Sequence, residues 1–294
     1  MMTKTTHWAA AAPALRTALL AASLALAAHT SAQAAHWTLL SPGAGIDLLD
    51  QSGQVDGEAA GQAVLGALQD LSGTGQVLLA DSQSGEPRSL GSASVEQGYS
   101  HLVLVDTQAA PATADVMLSA SQYWNVAATT QTTVSGFNRT QDLALGGLRL
   151  LITGDAGEAL GSRVQVDFTG SADALFGGLS GLGEIGLSLD ISRGTDSLAR
   201  HDSLWSASGS ELIHLSFEAV VGDELVLTLA AHQQLTQGLP FALTAGQRLD
   251  IDRSGLLQGQ LTVAAVPEPQ SLAMLLGGML VLGGVLRRRG AQAR

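Results

Sequence analysis

Alternation of apolar and polar residues at every second position recurs through the middle of this chain and restricts the folds it can adopt. It is clearest in residues 163–169, 185–191, 213–218 and 225–229. Successive side chains of a β-strand point to opposite faces, so each segment predicts a strand with one apolar and one polar face. No series of strands alternating with long helices is present, which argues against a parallel α/β fold.

The succession of strand signals predicts a mainly β fold, namely an antiparallel β-sandwich of jelly-roll type. The signals are separated by polar turns and extend over most of residues 35–265, which we interpret as one domain. A β-solenoid is the competing architecture, but the chain shows no repeat of fixed period. The core would be aliphatic, because 46% of the residues are hydrophobic and only 4% are aromatic.

Local features within this domain predict turns, bulges and buried segments. Residues 222–223 (Gly-Asp) separate two alternating runs and predict a two-residue hairpin turn, while residues 146–147 (Gly-Gly) predict a bulge or a tight turn. The nearly all-apolar residues 101–105 predict a strand buried on both faces. The glycine-rich residues 171–183 are expected to form a loop. Residues 57–71 fit either a short helix or an irregular excursion, because glycines interrupt their near-helical spacing.

The charge of the chain is strongly one-sided, with 26 acidic residues against 14 lysines and arginines and a formal net charge of −12. Such an acidic surface argues against binding to nucleic acid or to anionic lipid. It is compatible with solubility outside the cell and with divalent cations. Because the chain has no cysteine, disulfides, thiolate catalysis and cysteine-ligated metals are excluded.

The first 34 residues have the three parts of a secretory signal peptide. Lys4 and Arg16 are its positive charges, residues 17–28 are an uncharged run of small and apolar residues, and Ala32 and Ala34 are the small residues that a signal peptidase requires. We expect a signal helix over residues 1–34 with cleavage after Ala34. The alternative is a membrane anchor, but a run of about 12 residues at ~1.5 Å each is too short for a hydrocarbon core of ~30 Å.

The other end of the chain combines a short motif, an apolar segment and a basic cluster. The motif is Val266, Pro267, Glu268 and Pro269, and the basic cluster is Arg287, Arg288 and Arg289. The uncharged residues 271–286 between them predict a transmembrane helix of about 24 Å, shorter than the ~30 Å hydrocarbon core. The arginines would stay in the cytoplasm and leave the β domain outside. A permanent single-pass anchor is the alternative to a temporary one.

Those three parts resemble the PEP-CTERM sorting family, whose tail consists of the same motif, a short Gly/Leu-rich segment and an arginine cluster. The resemblance covers residues 266–290 and, together with the signal peptide, implies export by a Gram-negative bacterium. It implies as partners a translocon, a signal peptidase and an exosortase that recognises Pro267, Glu268 and Pro269. The implied route runs from an inner-membrane precursor to the cell surface or the extracellular matrix, where the family is linked to biofilm and exopolysaccharide.

A search of the chain for catalytic motifs finds none. A His-Glu-x-x-His helix, a P-loop and a dinucleotide fingerprint are missing, and residues 178–182 miss the Gly-x-Ser-x-Gly elbow because Leu182 replaces the last glycine. The domain's histidines form no His-x-His or i,i+4 pair, so surface histidines are expected for His214 and His232. Carboxylates are abundant, so no particular glycosidase pair can be named.

Two segments suggest a ligand, although each has a simpler interpretation. Residues 250–255 begin like a calcium loop, but Leu261 replaces the glutamate required at the twelfth position, so a strand followed by a turn explains them better. Tyr123, Trp124 and Trp205 could stack on sugars, but aromatic residues in a domain this poor in them favour core positions. No cofactor is assigned, and calcium stays open.

These observations predict an exported, non-enzymatic surface or matrix protein with a structural, adhesive or polysaccharide-associated role. The two processing ends, the acidic β domain and the lack of a catalytic motif support this hypothesis. The first alternative is an exported carbohydrate-active enzyme with a glycosidase-type carboxylate pair. The second is a calcium-stabilised adhesin.

Overall fold

The computed structural model describes most of the β domain and neither end of the chain. The predicted signal helix and the sorting tail after Val266 lie outside the described residues, as does most of the ambiguous segment 57–71. The described residues are 35–40, 46–55, 58–59, 68–69, 75–84, 88–90, 93–110, 112–134, 137–154, 159–178, 183–237 and 241–266.

Most of these residues are in strands. In chain order the strands are β1 (His36–Leu39), β2 (Ile46–Val55), β3 (Glu58–Ala59), β4 (Leu68–Gln69), β5 (Gln76–Ser84), β6 (Arg88–Leu90), β7 (Ala93–Ala110), β8 (Thr113–Ala128), β9 (Thr132–Val134), β10 (Phe137–Thr153), β11 (Arg163–Gly177), β12 (Gly183–Arg193), β13 (Asp196–Trp205), β14 (Gly209–Val220), β15 (Glu224–Gln237), β16 (Phe241–Leu243) and β17 (Arg248–Ala265). Within the described part of the chain, no helix is long and apolar enough to cross a membrane.

The strands form two large antiparallel sheets and a small one. The seven-stranded sheet has the order β13-β12-β15-β10-β2-β3, and β1 also pairs with β10. The eight-stranded sheet has the order β14-β11-β17-β8-β7-β5-β4, and β6 also pairs with β7. Strands β9 and β16 pair with each other as a separate ribbon. The predicted antiparallel β-sandwich is therefore confirmed.

The order of the eight long strands from β8 onwards, leaving out the ribbon, is that of a jelly roll. The first, eighth, third and sixth of them (β8, β17, β11 and β14) are neighbours in one sheet, and the second, seventh, fourth and fifth (β10, β15, β12 and β13) are neighbours in the other. Most connections therefore cross from one sheet to the other, so that residues far apart in sequence become lateral neighbours.

The core lies between the two sheets and is built from the inward half of each alternating strand. Strand β8 shows this along its whole length, since every second residue is buried. The buried set is aliphatic, as predicted, with Phe168 and Trp37 among its few aromatic members. Trp37 of β1 also donates from Nε1 to the carbonyl oxygen of Leu261 in β17 at 3.2 Å, which is a hydrogen bond between the two sheets.

The hairpin predicted at residues 222–223 is wrong. Strands β14 and β15 flank this turn, but β14 pairs with β11 while β15 pairs with β10 and β12, so the turn leads from one sheet to the other. Gly222 has the positive φ that was expected, at 100°. The alternation of both strands requires only that one face be buried, and the opposite sheet satisfies that requirement as well as a hairpin does.

Other local predictions have mixed outcomes. The predicted bulge at residues 146–147 is confirmed, because the register of β10 against β15 shifts between Leu145 and Leu148. The predicted loop at residues 171–183 is wrong in its first half, since β11 extends to Gly177. In residues 101–105, only the face with His101, Val103 and Val105 is buried, whereas the other face is half-exposed.

Candidate functional site

A groove lies on the outer face of the seven-stranded sheet and crosses four strands, β13, β12, β15 and β10. It has a volume of about 370 Å³, and polar side chains from all four strands line it. Its outward-facing residues are Asp142, Ala144, Gly186, Ser188, Asp202, Ala230 and His232.

The strand register arranges these residues in two adjacent rows. One row reads Asp202, Ser188, Ala230 and Ala144 across the four strands, and the next reads Leu204, Gly186, His232 and Asp142. Ser188, Ala230, Ala144 and Gly186 have small side chains or none, so they leave the sheet surface low and the groove open. Neighbouring strands are ~4.8 Å apart, so four strands give the groove a length of about 14 Å.

At one end of the groove, the side chain of His232 lies between two carboxylates. Its Nδ1 contacts Oδ1 of Asp142, which lies directly opposite on β10, and its Nε2 is 3.4 Å from Oε1 of Glu184 on β12. A neutral imidazole has one N–H and can donate to one of these carboxylates, whereas an imidazolium donates to both. All three side chains are about 40% exposed, so they are accessible to a ligand.

At the other end of the groove is the ion pair between Asp202 and Arg200, both on β13. Arg200 donates from Nε to Oδ2 at 2.6 Å and from its second terminal nitrogen to Oδ1 at 2.9 Å. This two-point hydrogen bond to Asp202 raises the pKa of Arg200 above its usual value, with the coulombic attraction adding to the effect. Asp202 is therefore charge-compensated, and the excess negative charge of the groove is on the Asp142 side.

The spacing of the carboxylates limits what chemistry the groove could do. The backbones of Asp142 and Asp202 are three strands and one row apart, which is more than about 14 Å, whereas the two acids of a glycosidase are ~5–10 Å apart. Asp142 and Glu184 are nearer to each other, but the ring of His232 lies between them. The groove is thus equipped mainly for hydrogen bonding along its length, with acceptors at Asp142 and Asp202 and a donor at Ser188.

The histidines named from the sequence have different positions in the structure. His214 is exposed on the outer face of β14, as expected, and His232 lies in the groove. His101 is buried, which the sequence did not indicate. Among the residues that the structure describes, no group of three or more potential metal ligands is close enough to hold a metal ion.

His201 belongs to a cluster that resembles a catalytic triad in composition only. Its Nε2 lies 2.7 Å from Oγ of Ser203 and 2.8 Å from Oε1 of Glu211, and Ser203 also donates to Glu211. In a serine–histidine–acid triad the acid contacts the other ring nitrogen. Ser203 is buried, and the cluster joins β13 to β14, so it ties together the edge strands of the two sheets.

The remaining ligand candidates lie outside the groove. Asp250 and Asp252 are exposed on β17, which continues to Ala265, so the strand interpretation of residues 250–255 is confirmed but the turn is wrong. Trp124 is fully buried in the core and Trp205 is partly buried against it. Tyr123 lies on the outer face of the eight-stranded sheet, where its hydroxyl is 3.4 Å from Glu96.

The sequence did not single out the groove, although its residues carry a weak signal. Ala144, Gly186, Ser188 and Ala230 are small residues at outward positions of alternating strands. Their lateral alignment depends on the pairing of strands that are up to about 90 residues apart, such as His232 with Asp142. A sequence pattern read along one strand contains no such information.

Comparison with known proteins gives no family for this chain. No family model and no curated protein matches it. Among solved structures, TmCBM61 in complex with β-1,4-galactotriose is 9% identical over 64% of this chain and 88% of its own, with a TM-score of 0.19. A CBM4 structure is 10% identical over 49% and 71%, with a TM-score of 0.18. An arabinose-bound α-L-arabinofuranosidase, MgGH51, is 10% identical over 79% and 27%, with a TM-score of 0.20. Superpositions at these scores carry no argument about function.

Proposed function

We propose that this chain is an exported, non-enzymatic β-sandwich protein that associates with extracellular polysaccharide at the cell surface. The observation that carries the proposal is the groove across β13, β12, β15 and β10. It combines an open floor of small residues with hydrogen-bonding groups at both ends. Sugars present many hydroxyl groups that both donate and accept, and Asp142, Ser188, Asp202 and His232 offer complementary groups.

The acidic charge of the protein narrows the class of polysaccharide. The whole chain carries a net charge of −12, and the Asp142 end of the groove has two carboxylates beside one histidine. A polymer of uronic acids or sulfated sugars would be repelled by this end. The proposed ligand is therefore a neutral or amine-bearing glycan chain.

Binding can be tested by filling the floor of the groove. We expect Ser188→Leu and Ala230→Leu to abolish retention of the purified protein in gels that contain neutral or amine-bearing polysaccharide, because each leucine would occupy the space of the glycan. The matched control is Ser216→Leu, which adds the same side chain to the exposed outer face of β14. Retention that is equal in all three variants would contradict the assignment of the groove.

Delivery to the surface is the second part of the proposal. The signal peptide over residues 1–34, with Ala32 and Ala34 at its cleavage site, would direct export. The motif from Val266 to Pro269 and the cluster from Arg287 to Arg289 would direct sorting by an exosortase. Replacing Pro267, Glu268 and Pro269 with alanine should leave an uncleaved species in the membrane fraction. Mass spectrometry of the mature C-terminus checks this, and normal release of the variant would refute the exosortase route.

An exported carbohydrate-active enzyme is the alternative function, and one observation favours it. Asp142 and Glu184 approach His232 from its two sides, which is a group of titratable residues at a cavity. The enzyme would be supported if the protein released reducing ends from a polysaccharide and Asp142→Asn abolished that release. The control is Glu218→Gln on the other sheet, which should retain it. Tight binding without release of reducing ends supports the binding protein.

A further inference from the structure

The interior of the sandwich contains a polar layer that the alternating sequence did not suggest. Tyr99, Gln122 and Arg253 lie directly opposite one another on β7, β8 and β17, and all three face the space between the sheets. Their exposed fractions are 4%, 2% and 0%. Arg253 donates to the carbonyl oxygens of Gly177 and Asp252 at 2.8 and 2.7 Å, so its charge is hydrogen-bonded within the fold.

A second glutamine enters this layer from the opposite sheet. Gln233 of β15 is 1% exposed, and its Nε2 donates to the carbonyl oxygen of Ala120 in β8 at 2.7 Å. Ala120 is two residues from Gln122 on the same face of β8, so the two positions are about 6.8 Å apart along the strand. The amide of Gln233 therefore reaches β8 two residues from Gln122, on the face into which the side chain of Gln122 is buried.

These neighbouring amides do not satisfy each other. Within the described part of the chain, Oε1 and Nε2 of Gln122 and Oε1 of Gln233 are buried and have no hydrogen-bond partner. Buried polar atoms in proteins are nearly always hydrogen-bonded, to protein or to ordered water. Two unsatisfied acceptors and one unsatisfied donor, on side chains that meet β8 at neighbouring inward positions, therefore fit a small polar ligand.

We infer that an ordered water molecule binds inside the sandwich between Gln122 and Gln233 and bridges the two sheets. Water can donate to both Oε1 atoms and accept from Nε2 of Gln122, which matches the unmet hydrogen bonds of these two amides. An anion would satisfy only the donor and would face two carbonyl oxygens. A metal ion would satisfy only the acceptors and would lie next to the cationic Arg253. Water fits the chemistry of the site best, and buried water of this kind typically makes about three hydrogen bonds.

A double-mutant cycle tests the bridge. Methionine is close to glutamine in shape but has no amide, so Gln122→Met and Gln233→Met each remove one side of the bridge. We expect each single variant to lower the melting temperature of the purified protein. The double variant should lower it by clearly less than the sum of the two, because both changes break the same bridge. The control is Gln258→Met, whose side chain is exposed on β17, and it should leave the melting temperature unchanged.

The opposite outcome is equally clear. If no water is bound, Gln122→Met removes a buried amide that has no partner, and the melting temperature should rise. A rise, or additive effects of the two changes, would overturn the inference. Water relaxation dispersion on the unmodified protein provides a test that needs no variant. It should detect an internal water with a long residence time, and the absence of such a water would overturn the inference. Bromide density at the site in crystals soaked in bromide would overturn it as well, because the ligand would then be an anion.

Discussion

The contact between β11 and β17 offers a test of how closely the backbones pack in this fold. A Cβ atom built on Gly170 would lie 2.2 Å from the carbonyl oxygen of Gln258 and 2.8 Å from Cα of Gly259. A Cβ atom built on Gly259, across the same contact, would lie 2.5 Å from Cζ of Phe168 and 2.7 Å from the carbonyl oxygen of Thr169. Backbone atoms dominate these contacts, so rotation of a flexible side chain cannot relieve a substitution at Gly170.

The expected cost of Gly170→Ala follows from these distances. Ordinary contacts of a Cβ atom begin at 3.4 Å, so β11 and β17 must separate by about 1 Å at this point. Overpacking of this kind costs about 1–3 kcal/mol, and lengthening a ladder hydrogen bond between the strands adds about 1 kcal/mol. We therefore expect Gly170→Ala to lower the free energy of unfolding by about 2–4 kcal/mol. In a domain of this size each kcal/mol lowers the melting temperature by roughly 2–4 °C.

Gly186→Ala is the matched control, because it also adds one methyl group to a strand glycine. The nearest atoms to its new Cβ would be Cβ of His232 at 3.4 Å and Cδ1 of Leu204 at 3.6 Å, which are ordinary contacts. We expect it to be neutral or slightly stabilising, since alanine restricts the unfolded chain more than glycine does. Urea unfolding followed by circular dichroism would compare the two variants. Equal stabilities would refute the argument that backbone approach requires glycine at position 170.

Two further predictions concern the link between the sheets and the role of calcium. Trp37→Phe removes the hydrogen bond from Nε1 to Leu261 and leaves a buried carbonyl oxygen without that donor. We therefore expect the free energy of unfolding, measured by thermal unfolding, to fall by about 1–2 kcal/mol. An unchanged melting temperature would mean that the bond contributes nothing to stability. Adding a chelator should leave the melting temperature unchanged, because Asp250 and Asp252 lie on a continuous strand and Asp250 is paired with Arg248; a drop would favour the calcium-stabilised adhesin instead.

The sequence predicts the class of fold because alternation reports on which face of each strand is buried. Residues 163–169 and 185–191 are strands whose apolar side chains face the core, as their pattern required. Alternation does not report on which strand lies alongside. For this reason the sequence predicts the positive φ of Gly222 correctly, but it predicts the wrong pairing for the strands on either side of the turn.

Glycine-rich segments are the other place where the sequence predicts the wrong structure. A glycine is compatible with a turn, but it is also compatible with a strand that another backbone approaches closely. Residues 171–177 were predicted as a loop but continue β11, and Gly170 just before them is required where the backbone of β17 comes near. Gly178, the residue after β11, has a φ of 76°, and residues 179–182 of the predicted loop lie outside the described part of the chain. Distinguishing these uses requires the positions of neighbouring strands, which a single sequence does not provide.

The groove illustrates the same limit at the level of function. Ser188, Ala230 and Ala144 are unremarkable outward residues on three separate strands, and only the jelly-roll order brings them into one row. The lateral order also places Asp142 beside His232, from a strand about 90 residues earlier. In a fold whose connections mostly cross between sheets, residues that share a surface are rarely close in sequence. Motif searches therefore do not find a binding site on such a sheet. The tail from Val266 to Arg289 can be recognised from the sequence, because its residues are contiguous and its proposed recognition depends on their order along the chain.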